Sequence, residues 1–116
     1  MVTLDQVRQL ALSLPESTEQ DHHGMISFRV RGKIFATVPD VDHIRIMVAE
    51  PEVVAAVAEN PATCEEFYWG RRLACVVVEL EAARPDLVRE LVTEAWIRKA
   101  PGRLARELPD PFTGLA

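Results

Sequence analysis

The chain has 116 residues, 48% of them hydrophobic and 27% charged, with a formal net charge of −5. That length suits one domain around one core, and the composition excludes wholesale disorder and fibrous repeats. No apolar run approaches the roughly 20 residues that span a bilayer and the N-terminus reads as amphipathic rather than as a signal peptide, so the expected compartment is the cytoplasm, without membrane association. Two cysteines, Cys64 and Cys75, form no C-x-x-C pair and are expected to stay reduced there. The acidic balance argues against attraction of the whole molecule to a polyanion, but leaves room for a local basic patch.

Thr3-Leu4-Asp5-Gln6 has the form of a capping box, which predicts a first helix from about Leu4. Leu4, Val7, Leu10, Ala11 and Leu14 give that helix one apolar stripe, and Pro15 ends it. Residues 16–24 read as a polar loop. Residues 25–48 then predict three antiparallel strands: Ile26, Phe28 and Val30 alternate with polar neighbours, as do Ile44, Ile46 and Val48. Arg31-Gly32-Lys33 and Pro39-Asp40-Val41-Asp42 supply the two turns.

Pro51 opens a short helix that Asn60-Pro61 closes. After a connector over residues 62–66, Phe67-Tyr68-Trp69 leads through Gly70-Arg71-Arg72 into a β-rich, almost wholly apolar run from Leu73 to Leu80. Pro85 and Asp86 open a third helix whose Leu87, Val88, Leu91, Val92, Ala95 and Trp96 share a side, with Trp96 assigned to the core. A further turn follows near Arg103, and residues 109–116 are expected to be a mobile tail. The fold class is α+β, a single domain with an antiparallel sheet of about five strands, helices on one face, and the order α-β-β-β-α-β-β-α.

FRVRGKIFATV from Phe28, YWGRR from Tyr68 and EAWIRKAPGRLA from Glu94 together resemble the MmcQ/YjbR family of small bacterial proteins, in the same order and over nearly the whole chain. The resemblance implies a frataxin-like (CyaY-like) sheet described as a double-wing DNA-binding motif, and it brings no agreed enzyme activity. If the wings are the β-hairpins, the matching positions are Arg29, Arg31 and Lys33 on one, with Arg71 and Arg72 on the other.

Those five cations suit phosphate contact, since guanidinium groups offer paired donors; charges at hairpin tips also serve solubility and discourage edge pairing. The expected function is therefore non-enzymatic DNA binding through Arg29, Arg31, Lys33, Arg71 and Arg72. Tyr68 and Trp69 have two readings, stacking on bases and packing in the core, of which core packing is preferred. The alternative is a small anionic ligand or a protein on the open sheet face, where alternation is expected to place Arg29, Arg45, Phe35, Met47 and Val77.

Glu19, Asp21, His22 and His23 form a polar cluster read as structural rather than metal-binding, and neither a metal nor another cofactor is expected. Ser13, Ser17 and Ser27 lack a G-x-S-x-G setting, Cys64 lacks a paired histidine in its sequence context, and phosphate-loop patterns are absent.

Overall fold

The computed structural model describes residues 1–107, so the tail expected over 109–116 lies outside the described residues. In chain order the elements are α1 (Leu4–Ser13), β1 (Ser17–His22), β2 (Met25–Val30), β3 (Lys33–Asp40), β4 (His43–Ile46), α2 (Glu50–Glu59), β5 (Cys64–Trp69), β6 (Arg72–Glu79), α3 (Pro85–Lys99) and α4 (Gly102–Ala105). The strands form one antiparallel sheet in the order β1-β2-β3-β4-β6-β5. The α+β class and the expected element order hold, with one added strand.

That strand is β1, in the stretch expected to be a loop. Ser-Thr-Glu-Gln-Asp-His carries no apolar alternation because β1 is an edge strand packed lightly on both sides. Its pairing with β2, from Ser17 opposite Val30 to His22 opposite Met25, comes from the His23-Gly24 turn and not from burial. Both turn residues have positive φ, 55° and 82°, the geometry that matches the twist of a two-residue hairpin.

One face of the sheet carries the core. Phe28, Ala36, Ile46 and Val76 are register partners in a row across four strands, and all are fully buried. Against this face α3 lies over β3 and β4, α2 over β5 and β6, and α1 over β1 and beside α3. The capping box of α1 is present: the Gln6 amide donates to Thr3 Oγ1 at 3.2 Å, while the Thr3 amide donates to Gln6 Oε1 at 2.9 Å. Trp96 is completely buried and donates its indole N–H to the Pro15 carbonyl at 3.1 Å, tying α3 to the end of α1.

Alternation fails at one informative place. The register of β2 and β3 slips between Phe28 and Arg29, so Phe28 pairs with Ala36 while Arg29 pairs with Ile34. The extra residue is Phe35. A bulge places two residues of one strand opposite one of its partner, which breaks the parity on which side assignment rests. Phe35, expected on the open face, is instead fully buried with its ring centroid 6.5 Å from that of Phe28. Ile34 takes the open-face position.

Candidate functional site

The strand directions bring the β2–β3 turn and the β5–β6 turn to the same end of the sheet, where β4 and α3 also terminate. From these turns the uncovered face holds a cavity of about 340 Å³ that extends to His22 and His23 of the β1–β2 hairpin. Its walls come from Ile34, Met47, Phe67, Trp69, Ala74 and Cys75, with Thr37 and Arg45 beside them and Arg72, Arg98 and Lys99 at the cationic end. The apolar lining follows from register: Phe67 pairs with Cys75 and Trp69 with Arg72, so these four side chains share the open face.

Charge at this end comes from separate elements. Lys33 belongs to the first hairpin, Arg71 and Arg72 to the second, and Arg98 and Lys99 to the last turn of α3. Among the described residues none of the five makes a salt bridge. Burial holds the Lys99 ammonium below its usual range, and the nearby charges of Arg98, Arg72 and Lys33 lower it further. No carboxylate among the described residues makes a salt bridge with any of these cations. Arg98 is oriented by its Nη1 donating to the Met47 carbonyl at 2.9 Å.

The remaining sequence-predicted residues divide. Arg31 stands at the tip of the first hairpin, but its guanidinium donates to both Glu16 oxygens, at 2.6 and 2.9 Å. That contact holds the Glu16 carboxyl below the usual range and engages the Arg31 guanidinium, whose charged form it favours. Arg29 lies partly buried on the open face, donating to Ser27 Oγ at 3.2 Å and meeting His22 Nδ1 at 3.4 Å, away from either tip. Arg45 sits over the Phe67 ring at 4.4 Å from its centroid, and Met47 lines the cavity as expected. Val77, the register partner of Arg45, is also on this face.

Core packing of Tyr68 and Trp69, the preferred sequence reading, does not occur: the two are 52% and 74% exposed. Of the four polar residues near β1, His22 and His23 meet, with ring centroids 4.6 Å apart, and both line the cavity, but Glu19 does not join them. Glu19 is register partner to the buried Phe28 and bonds Arg8 at 2.6 Å, whereas His22 faces the cavity.

Three features of the site carried little sequence signal. Arg98 and Lys99 read as ordinary last-turn cations that complement a helix dipole. Thr37 reads as a routine strand residue. In the fold its side chain lines the cavity, the residue is 4% exposed, and Oγ1 has no hydrogen-bond partner among the described residues.

No curated protein is significantly similar to the chain. Among solved structures, the crystal structure of Deinococcus radiodurans protein DR2400, with a DUF419 domain, superimposes with a TM-score of 0.73 at 19% identity, covering 84% of this chain and 78% of that one. At that identity the likeness concerns the fold. The YjbR family model matches residues 12–97, from the end of α1 through the whole sheet and almost all of α3. The chain belongs to the YjbR family.

Proposed function

We propose that this protein is a non-catalytic nucleic-acid-binding domain, with the phosphate backbone running across the cationic end of the sheet between the two hairpin tips. The observation that carries the reading is the gathering of Lys33, Arg71, Arg72, Arg98 and Lys99 from two hairpins and a helix, without carboxylate partners among the described residues, in a chain of net charge −5. Phosphate contacts position a strand, and an exposed aromatic such as Trp69 beside them is suited to stacking. Burial pushes the Cys75 thiol up to about 11, so it offers no thiolate nucleophile to the cavity at neutral pH. Free, buried Cys64 and Cys75 suit a reducing cytoplasm. Among the described residues no helix is long and apolar enough to cross a membrane.

The test is fluorescence anisotropy with labelled single-stranded and duplex DNA over a range of salt. Wild type binds with a steep salt dependence, and Lys33→Ala/Arg71→Ala/Arg72→Ala loses affinity and slope together. Absence of binding at low salt to either form would sink the reading.

A second reading rests on the cavity itself: a small anionic ligand, its apolar part against Met47 and Phe67 and its charge toward Arg45 and Arg72. Phenyl phosphate as a probe then perturbs the NMR signals of these residues in the absence of nucleic acid. Unchanged spectra would remove it.

A further inference from the structure

We infer that the open-face cavity is a pocket for one unstacked nucleobase, so that the protein selects single-stranded over duplex nucleic acid. The inference rests on the nucleic-acid reading above and assigns the part of the strand that the cavity takes.

Three observations meet in one place. The cavity, about 340 Å³, lies near the lower end of the range of small-molecule sites, roughly 300–1,000 Å³, which suits one flat ring system and excludes a stretch of duplex. Its walls include the exposed Trp69, a surface on which any base can stack, beside Phe67, whose ring carries the Arg45 guanidinium. Thr37 lines the cavity, and its buried Oγ1 has its hydrogen-bonding capacity unused among the described residues. A buried hydroxyl without a partner is costly to the fold, and a base edge offers what it lacks, a donor or an acceptor.

Charge gives the occupant its other half. A neutral aromatic ligand would leave the cluster of Arg72, Arg98 and Lys99 unanswered, while a nucleotide places a phosphate beside its base. In a duplex the base edges are paired and the rings stacked, so entry requires extrusion from the helix, whereas a single strand supplies an unpaired base at much lower cost.

The experiment measures affinity for a labelled single strand and for a hairpin duplex with the same number of phosphates, using the full chain. Wild type is expected to bind the single strand about tenfold more tightly or better, equivalent to about 1.4 kcal/mol. Ala74→Leu, which fills the cavity and keeps every cation, brings single-strand affinity down toward the duplex level. Thr37→Val keeps the side-chain shape and removes only the hydroxyl; it reduces single-strand affinity severalfold with an unaltered circular dichroism spectrum, covering the case in which Ala74→Leu fails to fold. Equal wild-type affinity for the two forms, or a single-strand preference retained in both variants, overturns the base pocket while leaving phosphate binding in place. Failure to bind either form overturns both.

Discussion

The two hairpins at the cationic end share a Gly-Arg or Arg-Gly turn and differ in what they do with it. In the β2–β3 hairpin the aromatic residues Phe28 and Phe35 are fully buried, and the tip cation Arg31 is held by both oxygens of Glu16. In the β5–β6 hairpin Tyr68 and Trp69 stand out of the fold, and Arg71 and Arg72 have no salt-bridge partner among the described residues. One hairpin is anchored and the other is displayed. Similar local sequences thus serve opposite ends, and the partner supplied from elsewhere in the chain decides which.

The sharpest way to break this contrast is to truncate one aromatic from each hairpin. Phe35→Ala is expected to cost about 3–5 kcal/mol, as for a large core aromatic, and Trp69→Ala less than about 0.5 kcal/mol, as for an exposed side chain. Urea denaturation measures both, and comparable losses would erase the distinction. Trp69→Ala should nevertheless weaken nucleic-acid binding.

Thr37 is the exception inside the anchored hairpin, since its hydroxyl is buried without a partner among the described residues. Thr37→Val is therefore expected to stabilise the protein by about 1 kcal/mol, the lower part of the cost of an unsatisfied buried polar group. A loss of stability on that change would mean that the hydroxyl has a partner in solution.

Lys99 lies where the two hairpins meet α3, and its folded pKa is lowered, first by burial and then by Arg98, Arg72 and Lys33. The charged form is thus disfavoured in the fold. Lys99→Met should raise stability at neutral pH while weakening anion binding. The gain should fade as pH rises through the lowered folded value toward the ordinary 10.5, where the wild-type lysine becomes neutral as well. Chemical denaturation at neutral and alkaline pH checks both signs.

The far end of the sheet, which neither tip reaches, supplies the smallest effect. The His43 pKa is raised by its hydrogen bond to Asp40 at 2.8 Å. A raised folded value means that the stabilisation is fully present below about 6.5 and is lost as pH rises through the folded pKa. His43→Gln should destabilise slightly at acidic pH and not above neutrality, a small change because the pair is exposed. An equal effect at all pH values would assign His43 a role in packing alone.

Sequence made most of this fold legible wherever burial imposed a period. The alternation at Ile44 and Ile46, the apolar run of β6 and the Trp96 stripe all appear where expected. It was silent where geometry rather than burial decides. β1 has no apolar face to announce it, and the bulge that turns Phe35 inward leaves no mark in FRVRGKIFATV that alternation can detect. Within the site, Lys33, Arg71, Arg72, Arg45 and Met47 were legible as hairpin-tip or open-face residues. Arg98, Lys99 and Thr37 were not, because a helix terminus and a strand interior reach the same cavity only through the three-dimensional fold. The sequence order also could not show that Glu16, fifteen residues before Arg31, would pair with its guanidinium.

The central claim is that Lys33, the displayed hairpin and the end of α3 hold phosphate while Arg31, paired with Glu16, does not. It is tested most directly by the salt dependence of single-strand binding in wild type, Arg31→Ala and Arg72→Ala/Lys99→Ala. Each phosphate contact contributes about 0.7 to the slope of log affinity against log salt for a single strand. Arg31→Ala is expected to retain the wild-type slope and the double variant to lose about 1.4 from it. A slope that falls in Arg31→Ala and survives in the double variant would contradict it.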